Sequence, residues 1–358
     1  DLVQRDLAGI AEEAGKADRV DGTHGGHGVA LNARDLHKST DGIAGKTQMV
    51  LDGDLGGVLD LVDSHFKKLC KGSCRHSASR SDLCLTSALR TADGCVTLNK
   101  ITDKTRAVIF VGYGGRVGPL EKILERCRKH DLRLILDAAH MAGTRVHGVT
   151  PGCWDGVDVT VYSFQAVKNL PTGDSGMICF ADEALDKECR MVSWMGINKD
   201  TYARTSNQGT YKWNYGVYYV GFKYNGNAIM AGIALAQLPY LDEENARRRE
   251  ICAMYDKAFA GNPNIRIIRA PYPQECSYHI YEIVVPDREA LLSELASHDI
   301  YGGVHYRDNT EFAMYRYAQG TCPVAHEVTQ HIITMPLHMY LSDEDVLHIA
   351  DIVNNFVK

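Results

Sequence analysis

From residue 104 onward the chain alternates two hydrophobic rhythms. "RAVIFV" (106–111) is a short apolar, β-branched run that ends in glycine-rich sequence. "PLEKILERCRKH" (119–130) follows, with Leu120, Ile123, Leu124 and Cys127 on one helical face and Pro119 at a first-turn position. "LRLILD" (132–137), "VDVTVYSF" (157–164) and "GMICF" (176–180) are further strand-like runs. Strand, helix, strand in this order predicts βαβ units and a mostly parallel sheet covered on both faces.

The pattern then changes. A long helix is predicted through residues 228–259, with Pro239 interrupting or kinking it. "YEIVV" (281–285) reads as a strand, and "DREALLSELASHD" (287–299) as an amphipathic helix that Asp287 can cap. "GGVHY" (302–306) reads as a second strand. The last helix starts at "SDED" (342–345), a capping-box pattern with Ser342 as N-cap and Asp345 at the third helical position. Its apolar side is Val346, Ile349, Ala350, Val353 and Phe356. The predicted class is α/β: a large unit over 1–240 with a mostly parallel sheet flanked by helices, and a small C-terminal α+β unit over 241–358. The first 95 residues are different. They are rich in Asp, Gly, Ser and His, with few strand-like runs. "VDGTHGGHG" (20–28) holds two histidines among glycines, which suits a loop better than a metal site.

Composition narrows the function classes. With 358 residues, 45% hydrophobic and 23% charged, the chain can build a large core and a smaller one. A net charge of −6 with both signs interspersed argues against a nucleic-acid-binding face. No run of 18 apolar residues and no basic-then-apolar leader is visible, so neither a membrane span nor a secretory signal is expected. The eleven cysteines are odd in number and irregular in spacing, as expected of reduced thiols in a cytoplasm rather than of a disulfide framework or zinc site.

Two residues carry the chemistry. Asp137 closes the run "LRLIL", and Lys168 lies just past "VTVYSF". Residues at the carboxyl ends of parallel strands face the ligand crevice, so the acid and the amine can reach one site. Alone, the pair is equally readable as a salt bridge or as two unrelated surface residues. The neighbours shift that reading. Ser163 and Thr172 are hydroxyls suited to phosphate oxygens, Gly173 and Gly176 allow tight turning, and His140 follows Asp137 by three residues. Carboxylate, amine, imidazole and hydroxyls are the set that pyridoxal 5'-phosphate (PLP) requires. Lysine forms a Schiff base with its aldehyde, which needs a partly desolvated amine. Aspartate keeps the pyridine nitrogen protonated, so the ring can act as an electron sink. A nucleotide-binding P-loop does not fit, because its glycines precede the lysine and here they follow it.

"ILDAAHMAGTRVHG" (135–148) followed by "YSFQAVKNLPTGDSGMI" (162–178) resembles the DegT/DnrJ/EryC1/StrS sugar aminotransferases, which are fold-type I PLP enzymes. The likeness continues through "VGFKYNGNAIMAGIALAQL" (220–238), "SYHIYEIVV" (277–285), "GGVHYRDN" (302–309) and "MPLHMYLSDEDV" (335–346), and covers roughly residues 100–358. It implies that Lys168 is the Schiff-base lysine, Asp137 the acid on the ring nitrogen, His140 the group beside the ring and Ser163 a phosphate contact. It implies that Lys223, where the family has Asn, reaches the phosphate of a neighbouring subunit in a homodimer with shared active sites. His305, and Trp194 if it is not simply a core residue, fall beside the sugar. Ser39 and Thr40 in "HKSTDGIAG" (37–45) stand where the family's phosphate-cradling turn would fall, and Phe66 is the nearest aromatic for the ring face. The implied reaction moves an amino group from glutamate or glutamine to a keto group of a nucleotide-linked sugar. Alternatives are a PLP-dependent sugar dehydratase, whose branch replaces the lysine with histidine, and a non-catalytic binder of cofactor or sugar nucleotide. The likeness stops abruptly near residue 95, as strong divergence or a shifted reading frame would produce.

Overall fold

The computed structural model describes residues 84–86, 101–198 and 215–358. Ser39, Thr40, Phe66 and the histidines of 20–28 lie outside the described residues.

A five-stranded sheet is ordered β1 (Cys84–Thr86), β2 (Ala107–Val111), β3 (Arg133–Asp137), β4 (Val159–Ser163) and β5 (Gly176–Phe180). The first four strands are parallel and β5 is antiparallel, so the mostly parallel sheet expected from the sequence is present. Successive side chains of a strand point to opposite faces. Val108, Phe110, Leu134 and Leu136 accordingly enter one apolar cluster, while Ala107, Ile109, Ile135 and Val159 enter another on the other side. Helix α1 (Leu120–Lys129) covers the first face with Leu120, Ile123, Leu124 and Cys127, all buried as its periodicity predicts. Each fully buried Leu or Ile contributes roughly 1.5–3 kcal/mol over an exposed one. Pro119 is the N-cap of this helix, one position earlier than predicted; its carbonyl accepts from Ile123 N–H at 3.1 Å. Helix α2 (Glu183–Ser193) packs Cys189 and Val192 near Ile178 and Phe180 of β5.

The predicted long helix is divided as Pro239 requires. Helix α3 (Ala228–Gln237) gives way to a 3-10 turn over Leu238–Tyr240, and α4 (Leu241–Phe259) follows. Leu241 at the start of α4 belongs to the cluster under the large sheet, whereas Ile251, Cys252, Tyr255 and Phe259 belong to a second cluster. That second cluster lies against an antiparallel sheet ordered β6 (Arg266–Ile267), β7 (Tyr281–Val284) and β8 (Ile332–Met335). Helices α5 (Arg288–Ser297), α6 (Pro323–His331) and α7 (Asp343–Phe356) complete this part. Asp287 Oδ1 caps α5 by accepting from Ala290 N–H, and the Ser342–Asp345 capping box starts α7.

Two expectations are corrected. Residues 302–306 are not a strand: the chain pairs with β8 at Gly303 alone, with two bonds to Thr334. Thr334 then binds the His305 ring with its hydroxyl at 2.8 Å, so a side-chain bond replaces the ladder. The strand beside β7 is β8, from the β-branched run "IIT". Phe356 remains 39% exposed, outside the apolar side of α7. Among the described residues no helix is long and apolar enough to cross a membrane. Cys127, Cys153, Cys179, Cys189, Cys252, Cys276 and Cys322 are free thiols.

One buried ion pair joins the loop after β2 to β7. Arg116 Nη1 lies 2.8 Å from Glu282 Oε2, and neither side chain is more than 7% exposed. It is a close charge contact rather than an aligned hydrogen bond, since neither atom completes one. Nη2 donates to the Ile268 carbonyl at 3.2 Å. Gly115, one residue earlier, has φ +88°, and a Cβ there would lie 2.9 Å from Tyr278 N. Glu282→Ala should therefore destabilise the fold by about 3–5 kcal/mol, because it strands a buried guanidinium. The double change Arg116→Met with Glu282→Leu should cost far less than Glu282→Ala, as chemical denaturation would read.

Candidate active site

The parallel register decides which polar groups meet. Asp137 pairs with Val161, so β3 and β4 end at the same edge of the sheet. The turns carrying Ala138–His140 and Phe164–Lys168 leave that edge side by side. Asp137 Oδ1 accepts from Ala139 N–H at 3.0 Å, and among the described residues no hydrogen bond falls on Oδ2. Burial raises the Asp137 carboxyl above its ordinary value, against the opposing pull of that N–H and of the Lys168 charge. Burial lowers the Lys168 amine, and Asp137 only partly restores it. The two attract across the crevice without a direct ion pair.

His140 is 8% exposed. Gly114 N–H donates to its Nδ1 at 3.1 Å, and its Nε2 lies 3.5 Å from the Tyr306 hydroxyl. Burial holds its imidazole well below the ordinary value, with further lowering from His279, Lys168 and His305. His305 is lowered mainly by burial. Its carbonyl accepts from the Tyr113 hydroxyl, which burial and then Glu282 push upward, so Tyr113 remains a neutral donor. Asp137, His140, Lys168 and His305 thus form one group. Ser163 ends β4 beside it, its Oγ accepting only a long bond from Gln165 N–H at 3.4 Å.

Other expected contributors are placed differently. Thr172 is buried and its hydroxyl is taken up inside the turn, donating to the Phe164 carbonyl at 3.0 Å and meeting Ser175 Oγ at 2.5 Å. It shapes the lysine turn and does not face a ligand. Lys223 and Trp194 do not join the group within one chain. Lys223 Nζ stands 3.9 Å above the Trp194 ring and binds Asn225 Oδ1 at 2.6 Å. Trp194 Nε1 is buried with no hydrogen-bond partner among the described residues.

Sequence reasoning passes over Tyr113, Tyr306 and His279. Tyr306 directly follows His305 in "GVHY", and His279 sits in "SYHIYEIVV". Both lie inside stretches already singled out, but nothing local in the sequence distinguishes a residue behind the site from one in the core. A carboxylate oxygen with no hydrogen bond among the described residues, an amine that burial shifts toward its neutral form and a strand-end hydroxyl are the donor set that PLP takes, so these residues fit the group.

The DegT/DnrJ/EryC1/StrS aminotransferase family profile matches residues 96–354. The spore coat polysaccharide biosynthesis protein SpsC of Bacillus subtilis is 30% identical over 269 residues, 72% of this chain and 68% of that protein. The dTDP-4-dehydro-2,3,6-trideoxy-D-glucose 4-aminotransferase of Saccharopolyspora spinosa is 30% identical, over 70% of this chain and 65% of that enzyme. Spr1654 of Streptococcus pneumoniae in its PLP form superposes with a TM-score of 0.62 at 28% identity, covering 72% of this chain and 69% of that one. Fold and likeness together define a PLP-dependent aminotransferase. The chain belongs to the DegT/DnrJ/EryC1/StrS aminotransferase family.

The buried imidazoles make a pH prediction. His279 is pushed down to about 3 from 6.5, by burial first and then by the Lys168 charge. Unfolded, it titrates at its ordinary value. Between the two values the unfolded chain binds a proton that the folded chain does not, so stability falls as pH drops below about 6.5. His140 and His305 act in the same sense; Asp137, shifted up, acts in the opposite one. The melting temperature should therefore fall between about pH 7 and pH 5, and His279→Gln should flatten that slope. An unchanged slope would show that His279 does not titrate on unfolding.

Proposed function

We propose that the chain transfers an amino group from glutamate or glutamine to a keto group of a nucleotide-linked sugar, with Lys168 holding the cofactor. One observation carries this reading: Lys168 and Asp137 share a desolvated crevice in which burial shifts the amine toward its neutral form and, among the described residues, the carboxylate keeps an oxygen without a hydrogen bond. When bound, PLP supplies the electron sink for removing the substrate Cα proton. Asp137 would hold the group at its ring nitrogen and keep that nitrogen protonated. Lys168, whose amine reaches its neutral form more readily than a free lysine, takes and returns the proton at Nζ. His140 would stand beside the ring, and the Ser163 hydroxyl would donate to the phosphate. Tyr113, through the His305 carbonyl, fixes the segment that would line the sugar.

The relatives support the substrate class, since one is named for a dTDP-linked sugar and another for polysaccharide synthesis. Lysine at position 168 favours amino transfer over the dehydrating branch, which has histidine there. We read the chain as cytoplasmic, and residues 1–240 and 241–358 as two units meeting along α4. Ser39 and Thr40 would complete the phosphate cup, although the family match begins only at residue 96.

We read the assembly as a homodimer. The segment before Lys223 is apolar and open, with Tyr218 65% and Val220 97% exposed. An isolated chain rarely leaves such a strip uncovered. A twofold partner would cover it and bring Lys223 to the neighbouring phosphate. Val220→Asp should convert dimer to monomer in light scattering; a wild-type chain that is already monomeric at micromolar concentration would remove this assignment.

Titration with PLP tests the central assignment. The wild-type chain should take up the cofactor and turn yellow, and Lys168→Ala should bind without the visible band. Added glutamate should then bleach the band as the cofactor accepts the amino group. A chain that stays colourless favours a non-catalytic binder, and a band unmoved by glutamate and glutamine favours the dehydratase.

A further inference from the structure

Lys168 is followed by a buried amide whose orientation can be deduced. Asn169 is 4% exposed, and its Nδ2 donates to Asn245 Oδ1 at 2.7 Å and to the Ser277 carbonyl at 2.8 Å. A carbonyl only accepts, so the amide nitrogen faces Ser277 and the amide oxygen faces His279. Asn245 is fixed by the same logic, because its Nδ2 donates to the Ala142 carbonyl at 3.0 Å. Asn169 Oδ1 then lies 3.0 Å from His279 Nδ1. An amide oxygen cannot donate, so the proton of a neutral His279 sits on Nδ1.

His140 has the opposite arrangement. Its Nδ1 accepts from a backbone N–H, so its own proton is on Nε2, the side where Tyr306 stands. The two imidazoles pack against each other, 4.3 Å between centroids with their planes tilted by 37°. The charges that bear on His279 come from Lys168, Arg248 and His305. All are cations or would become so on protonation, and burial disfavours a further one among them. The ring behind His140 is therefore a neutral plate held at one edge by Asn169.

We propose that Asn169 and His279 are positioning residues: Asn169 holds His279 as the Nδ1–H tautomer against His140, so that the His140 imidazole meets the cofactor at one tilt and in one tautomer. This rests on the reading of Lys168 and His140 as cofactor-facing residues. Neither positioning residue touches the reacting atoms. Asn169 also fixes the backbone from which the Lys168 side chain extends, so the amine and the imidazole are set by one carboxamide.

The test combines nitrogen-15 NMR of the histidine rings with pH titration of the chain loaded with PLP. The wild-type spectrum should show His279 protonated at Nδ1 and His140 at Nε2. Asn169→Leu should release the His279 preference. Asn169→Leu and His279→Ala should each move the pH midpoint of the bound cofactor's visible absorbance by about one unit. His279→Gln, which keeps a donor for Asn169, should recover most of the wild-type midpoint. An Nε2–H tautomer at His279, or a wild-type midpoint in folded His279→Ala, overturns the proposal. If Asn169→Leu does not fold, His279→Ala and the wild-type spectrum still decide. A wild-type chain that stays colourless with PLP, or a visible band that survives Lys168→Ala, overturns the underlying reading and this inference with it. A band lost in Lys168→Ala but unshifted in His279→Ala overturns the inference alone.

Discussion

The parallel pairing of β3 with β4 is the constraint on which the site depends. Parallel strands end on the same edge, where the turns that follow them face the ligand crevice. With Asp137 opposite Val161, the turns after β3 and β4 leave that edge together, and both carry polar groups. An antiparallel pairing of the same runs would send Asp137 and Lys168 to opposite ends of the sheet. Apolar clusters on both faces hold this pairing in place and keep water from the strands, so the groups at the edge sit in a low dielectric.

Low dielectric then biases the protonation states. Burial outweighs the attraction of Asp137 for Lys168 and of Lys168 for Asp137, so both groups are eased toward neutrality. Three imidazoles surround the amine, and each is pushed toward its neutral form. A buried pair of opposite charges lies behind the site, in Arg116 and Glu282, where each offsets the other. That pair anchors the loop after β2 to β7, and Tyr113 in the same loop binds the His305 carbonyl. Charge that would hinder amine chemistry in the crevice serves as a clamp behind it.

Much of this was legible in the chain. The face of α1 shows as an i, i+3, i+4, i+7 pattern because a helix buries one stripe, and β2 and β3 show as continuous apolar runs because both of their faces are covered. Asp137 and Lys168 stand out because polar residues at strand ends are cheap to spot against apolar neighbours. The rest depends on contacts distant in sequence. Strand β8 has only four residues and follows α6 without a turn signal, so nothing local marks it off as a separate strand. Gly302 and Gly303 look like a strand entry, yet with no side chains to pack they support only one bridge. Thr172 looks like a phosphate ligand until its burial is known. His279 has no local mark at all, since its meaning comes from an amide 110 residues away.

That last bond has an evolutionary side. Asn169, Asn245 and His279 come from three segments, and their hydrogen bonds fix one another's orientation in sequence. Replacing any one leaves a buried polar group of another without its partner, so single replacements are costly while a joint replacement by apolar residues need not be. The three positions should therefore be inherited as a block, and a lineage that has lost one should have rebuilt the others. Such a block makes the neighbourhood of the lysine slow to drift even where the surface around it varies freely.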